Sequence, residues 1–334
     1  MLGIGVIGCG YWGPNVIRNF ASIEECELRA VCDLDPERLG GIHRRHPAAR
    51  ATADALALIA DPAVDAVAIC TPIHTHFPLA HAALEAGKHV LVEKPLTDSV
   101  ETAEALVEMA EDRGLTLQVD HTFVYGGAVR KIREIIDEGQ LGDLLYFDSV
   151  RVNLGLFQSN VNVLWDLAPH DLSIMTHLID RQPRWVSAIG STHYGKHENL
   201  AYLTMKFDDM LIAHLHVNWL APVKLRSTLI GGSQRMIVYD DLAPSEKVLV
   251  YDKGITHNAD VSSRNRALVD YRVGDMYAPH LDNTEPLNRV CRVFIDAVER
   301  GIRPPTDGLA GLRVVRLLEA GQQSLRKNGE QIAL

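Results

Sequence analysis

Gly5-Val6-Ile7-Gly8-Cys9-Gly10-Tyr11-Trp12-Gly13 follows an apolar opening run and precedes a stretch with helical patterning. Its spaced glycines, Gly8, Gly10 and Gly13, read as a dinucleotide-binding turn. The first permits a tight strand-to-helix turn, the second lets backbone approach a pyrophosphate, and the third allows the helix to lie against the strand. The helix that follows presents unpaired N–H groups and the positive end of its dipole to the phosphates. Tyr11 and Trp12 lie inside the turn and count with its glycines as cofactor-binding. Residues 28–32 read as a second buried strand ending on Asp33, twenty residues after Gly13. A carboxylate there accepts hydrogen bonds from the adenosine ribose hydroxyls and repels a 2′-phosphate, so the expected cofactor is NAD rather than NADP. Asp33 also suits a plain turn with Asp35 and Pro36.

Around this turn, residues 1 to about 120 alternate short apolar runs (4–8, 28–32, 66–70, 89–92 and 116–119) with helical stretches, the pattern of a doubly wound parallel sheet. After Pro95, Asp98 and Glu101 form a possible cap pair for a helix with an apolar stripe. Beyond Tyr125 the pattern changes to two-residue alternation over 144–153, 185–192, 201–207, 211–218, 224–230 and 235–239. These runs predict a mostly antiparallel, open-faced sheet, with helices on one face and a second subunit on the other. Residues 254–286 are polar and poor in periodicity, a long loop of the kind that is functional or disordered. Asp307 can cap a last helix. The expected division is a Rossmann domain over 1–122 and an α+β substrate-binding and oligomerisation domain over 123–334. The terminal helix, 308–327, is a candidate to pack back on the first domain.

The chain has 334 residues, more than one core usually supports, so two domains are expected. A formal charge of −10 argues against nucleic acid or an anionic membrane surface. Five scattered cysteines without a C-x-x-C pair suit a reducing compartment. No apolar run is long enough to span a bilayer, and the expected location is the cytoplasm.

Two constellations carry chemistry. Glu93-Lys94-Pro95 follows an apolar strand at the carboxyl end of the parallel sheet, where open α/β folds bind ligands. Lys94 there is placed to hydrogen-bond a substrate hydroxyl and stabilise developing alkoxide, against the simpler reading of a surface lysine paired with Glu93. Trp165-Asp166-Leu167-Ala168-Pro169-His170-Asp171 reads as a helix start, with Pro169 in the first turn. Asp166 and His170 are four apart, so on a helix they project the same way, and His170 suits the proton acceptor of an alcohol oxidation. The structural alternative is Asp166 as a helix cap and His170 as a buried polar residue. His74-Thr75-His76 and His214-Leu215-His216 invite a metal reading, but further ligands at diagnostic spacing are missing, and no metal is expected.

Gly8-x-Gly10-x-x-Gly13, Thr71-Pro72 with His76, Glu93-Lys94-Pro95 and Asp166-x-x-x-His170, in that order, closely resemble the glucose–fructose oxidoreductase, inositol dehydrogenase and MocA (Gfo/Idh/MocA) family across nearly the whole chain. The resemblance implies that Lys94, Asp166 and His170 are catalytic or substrate-orienting. It also implies that Thr71, Pro72, His76 and Glu93, together with Lys94, line the nicotinamide and ribose pocket. Two positions depart from the family pattern. Ala168 and Pro169 stand where glycine is frequent between aspartate and histidine, and the run Asp120-His121-Thr122-Phe123-Val124-Tyr125 replaces a common arginine. Both departures, with Tyr11-Trp12-Gly13-Pro14-Asn15, resemble the subgroup of polysaccharide and nucleotide-sugar biosynthesis. The resulting expectation is hydride transfer between NAD and a ring secondary alcohol of a UDP- or dTDP-linked sugar. Tyr125 is a candidate substrate contact, and Arg264, Arg266 and Arg272 are candidates for its phosphates. The alternatives are a cyclitol or a free or phosphorylated sugar as substrate, a redox-neutral NAD-dependent glycosidase, and a non-catalytic NAD-binding regulator. A homodimer or homotetramer is expected.

Overall fold

The order in which the first strands pair decides where a ligand can sit. In a computed structural model describing residues 1–155, 157, 160–257 and 269–334, β1 (Leu2–Ile7) lies between β2 (Cys26–Cys32) and β4 (Ala66–Ile69). With β3 (Arg50–Thr52), β5 (His89–Glu93) and β6 (Leu117–Asp120) they form a six-stranded sheet of order 3-2-1-4-5-6, and every pairing is parallel. The order reverses beside β1, which makes the crevice outside its carboxyl end the binding position of a doubly wound sheet. β4 is wholly apolar and fully buried, as a strand covered on both faces must be.

Helices α1 (Gly13–Ala21), α2 (Pro36–Arg45), α3 (Ala55–Ile59), α4 (His76–Glu85) and α5 (Val100–Asp112) connect these strands. α5 is capped by Ser99, which accepts from the Thr102 N–H, so the cap falls one residue after the expected Asp98.

The chain divides into two compact units, 1–126 with 284–319, and 127–283 with 320–334. The second begins with α6 (Gly127–Asp137) and is built on a nine-stranded sheet. Its centre is β7 (Leu144–Leu154) between β10 (Ile212–Asn218) and β11 (Leu220–Gly232). β8 (Trp185–Ser191) and β9 (Leu200–Lys206) extend it on one side, ending on β17 (Ile332–Ala333). β12 (Met236–Asp240), β13 (Val248–Tyr251) and β16 (Met276–Tyr277) extend it on the other. Only β7 with β10 is a parallel pair, so the sheet is mixed and mostly antiparallel. The alternation in β10 has the expected consequence: Ala213, Leu215 and Val217 are buried, and α7 (Val163–Leu178) packs on that strand and on β7 and β9.

The polar stretch after residue 254 contains a hairpin, β14 (Gly254–His257) with β15 (Val269–Arg272), which the lack of periodicity did not reveal. It then leads to α8 (Pro286–Arg300), a helix of the first unit. Phe294 of α8 meets Phe20 of α1 edge to face, ring centres 6.2 Å apart. The final helix α9 (Gly308–Arg326) is capped by Asp307, whose Oδ1 accepts from the Ala310 N–H at 2.8 Å. Among the described residues no helix is long and apolar enough to cross a membrane.

Candidate active site

Two of the glycines in the opening turn are required by the chain's own backbone, and the third is not. Gly8 has φ +98°, and a Cβ on it would lie 2.6 Å from the Cys70 carbonyl oxygen. A Cβ on Gly13 would lie 1.9 Å from the Gly8 carbonyl oxygen, the close approach of helix to strand. At Gly10 the nearest atom to an added Cβ is the Arg38 Nη1 at 3.6 Å, so packing leaves open the space that a pyrophosphate would fill. α1 begins there without any side-chain cap, and its first-turn N–H groups suit an anion. Asp33 takes the turn role read for it. Its Oδ2 accepts from the Cys9 N–H at 2.5 Å and its Oδ1 from the Asp35 N–H at 2.8 Å. The carboxylate thus ties the turn to the end of β2, with lone pairs remaining for ribose hydroxyls. Tyr11 is almost wholly exposed beside it.

Trp12 is fixed from the far side of the sheet. Its Nε1–H donates to Asp120 Oδ2 at 2.6 Å, and the Thr122 hydroxyl donates to Oδ1 at 2.7 Å. Asp120 is buried, which pushes its pKa up, while the two donors oppose that shift. The register of β5 and β6 sets Glu93 opposite Asp120, and Lys94 follows at the strand end, half-buried, with a cis bond to Pro95. His76 is buried with Nδ1 2.9 Å from the Pro95 carbonyl and Nε2 2.7 Å from the Thr71 carbonyl. It is a strut between the loops after β4 and β5, and burial holds its pKa low. The Thr75 hydroxyl donates to Thr71 Oγ1 at 2.6 Å, and Pro72 is exposed at the same loop.

In the second unit, α7 starts earlier than its sequence suggests. Asn162 caps it by accepting from the Trp165 N–H at 3.2 Å, which puts Pro169 inside the helix rather than in its first turn. Asp166 and His170 therefore stand one helical turn apart on one side of α7, and Asp166 is not the cap. Trp219, 1% exposed, donates from Nε1 to Asp166 Oδ2 at 3.0 Å. Asp171, next to His170, points the other way into a buried pair: Arg151 Nε donates to its Oδ2 at 2.7 Å and Nη2 to its Oδ1 at 3.1 Å. The pair joins α7 to β7 and so fixes the helix that carries Asp166 and His170.

Residues 2–121 match the family described as oxidoreductase family, NAD-binding Rossmann fold, and residues 129–238 match the GFO/IDH/MocA C-terminal domain. The chain belongs to the Gfo/Idh/MocA family. It is an NAD-binding oxidoreductase. The UDP-N-acetylglucosamine 3-dehydrogenase of Acidithiobacillus ferrooxidans is 28% identical over 312 residues, 93% of each chain. A solved structure of that dehydrogenase superposes with a TM-score of 0.83 at 26% identity, covering 98% of each chain. The myo-inositol 2-dehydrogenase of Thermotoga maritima is 24% identical over 97% of this chain and 96% of its own.

Two side chains of this family member lie elsewhere than expected. Tyr125 is 3% exposed in the core, its hydroxyl 2.8 Å from Thr306 Oγ1, which corrects its reading as a substrate contact. Arg272 donates from Nη1 to Asp252 Oδ1 at 2.5 Å and from Nη2 to the Gln234 carbonyl, so it is committed to holding its hairpin. His214 and His216 stack against Tyr202, ring centres 6.0 and 4.4 Å apart. Arg264 and Arg266 lie outside the described residues. Among the described residues no group of three or more His, Cys, Asp or Glu side chains is arranged to hold a metal. Sequence reasoning missed Trp219, Arg151 and Asp120, whose roles depend on partners 53, 20 and 108 positions away.

Proposed function

We propose that this oxidoreductase acts on a ring secondary alcohol of a nucleotide-linked sugar, UDP- or dTDP-linked. Gly8, Gly10, Gly13, Asp33 and the loops after β4 and β5 hold the dinucleotide, and Asp166 and His170 of α7 serve the substrate. NAD, when bound, supplies the acceptor for the carbinol hydride. Lys94 donates a hydrogen bond to the reacting oxygen and stabilises charge that develops on it. His170 takes the hydroxyl proton on oxidation and returns it on reduction. Asp166, held by Trp219, orients a neighbouring hydroxyl or the imidazole. The observation that carries this reading is the pairing of Asp166 and His170 on one face of α7, with the carboxylate already fixed by a buried donor. The substrate class is supported by the nucleotide-sugar dehydrogenase among the relatives, similar over nearly the full length of both chains.

The test is reduced-nicotinamide absorbance on mixing purified protein, NAD and a panel of UDP- and dTDP-sugars, free sugars and cyclitols. Turnover of a nucleotide sugar is expected. His170→Asn is expected to lower kcat by about 10²-fold or more while leaving NAD affinity unchanged. Turnover of a cyclitol alone would replace the substrate class, sugar release without net absorbance change would indicate a glycosidase, and an unimpaired His170→Asn would remove the assigned proton acceptor.

A further inference from the structure

The carboxyl end of β6 carries a polar ring that no described residue satisfies. His121 is 2% exposed, and neither its Nδ1 nor its Nε2 has a hydrogen-bond partner among the described residues. Burying a polar group without a partner is costly, so such groups mark strain, ordered water or a ligand. Strain does not account for this one. The His121 backbone is held by its own turn, its N–H donating to the Val119 carbonyl at 2.8 Å and its carbonyl accepting from Val124 at 3.0 Å. His76 in the same unit, equally buried, has both ring nitrogens against protein carbonyls, so the contrast is specific to position 121.

Position and chemistry narrow the ligand. The phosphate turn lies at the end of β1, and Asp33, the ribose acceptor, at the end of β2. A dinucleotide spanning the reversal of strand order therefore places its other nucleoside over β4, β5 and β6. His121 follows β6 directly, and the pairing of Glu93 with Asp120 brings it beside the strand end that bears Lys94. Burial and the Lys94 ammonium push its pKa down to about 3, which leaves a neutral ring near neutral pH with one N–H donor and one acceptor nitrogen. A carboxamide offers the complement, N–H donors beside a carbonyl acceptor.

We infer that His121 is a cofactor-positioning residue whose imidazole hydrogen-bonds the carboxamide of the bound nicotinamide. The inference needs only the dinucleotide and is independent of which hydroxyl the enzyme oxidises.

Calorimetric titration of wild type, His121→Leu and His121→Gln with NAD and with ADP-ribose, which lacks the nicotinamide, tests it without turnover. His121→Leu is expected to weaken NAD roughly five- to tenfold, to leave ADP-ribose unchanged, and to be rescued by His121→Gln, which keeps a donor and an acceptor. Equal weakening of both ligands, or no weakening of NAD, overturns the assignment. If His121→Leu fails to fold, ring-nitrogen NMR shifts of histidine-labelled wild type decide instead. The resonance missing from His121→Gln must move on adding NAD and stay in place on adding ADP-ribose, and any other pattern overturns the assignment.

Discussion

His121 also bears on stability, because its ring resists protonation in the folded chain. Its folded pKa is held near 3 against an ordinary value of 6.5. Below the ordinary value the unfolded chain binds a proton that the folded chain refuses. The contribution is therefore fully present above the unfolded value and is lost as pH falls toward the folded one. The slope from this one residue is about 1.4 kcal/mol per pH unit. Urea unfolding of wild type and His121→Gln should show the free-energy difference between them shifting by about 2 kcal/mol against wild type from about pH 7 to about pH 5. Parallel pH dependences would show that the ring titrates normally. The turn glycines and Asp33 could be read from sequence because their partners lie close along the chain or in a recurrent unit. The isolation of His121 could not, since a missing partner appears only once every neighbour is placed.

At the scale of elements, α7 depends on a charge pair buried away from the chemistry. Arg151 and Asp171 are 3% exposed each, and Ser149 donates to Asp171 Oδ1 at 2.9 Å. Such a pair gives little over an apolar one, yet removing one partner leaves a bare buried charge. Arg151→Met should therefore cost about 3–5 kcal/mol, and Arg151→Met with Asp171→Leu should recover most of it. Urea midpoints of the two variants check this, and a double variant as unstable as the single one would show that packing rather than charge is at fault. The longer strands of both sheets were legible from their apolar runs or their alternation, whereas β3, β13, β16 and β17, each four residues or fewer, are too short to show a period. The start of α7 was hidden by Pro169, which reads as a first-turn residue, while the true cap Asn162 lies seven positions earlier. α8 had a legible signal that the polar context masked: Pro286 at its start, then Leu287, Val290, Cys291, Phe294 and Ile295 at helical spacing, all buried.

For the whole molecule, the face of the nine-stranded sheet opposite α7 sets the expected assembly. Register puts Ile189 beside Tyr202 and Tyr202 beside His216, and Ile212 shares the side of His214 and His216 along β10. Ile189, Tyr202 and Ile212 are 63%, 40% and 44% exposed. Side chains of this kind on one continuous sheet face favour burial against a partner, and a second copy presents the same surface with its own symmetry. We propose a homodimer or homotetramer formed through this face. Light scattering of the purified chain should give a multiple of its 36.9 kDa mass. Ile189→Asp with Tyr202→Asp, which would bury unpaired carboxylates in the contact, should shift the population to monomer and spare NAD binding by the first unit. Added salt should leave the wild-type assembly intact, since apolar burial is not screened as surface charge is. A monomeric wild type would remove the contact altogether and a double variant that still assembles would place it elsewhere, and in either case the stacked Tyr202, His214 and His216 would be a solvent-facing feature of each chain.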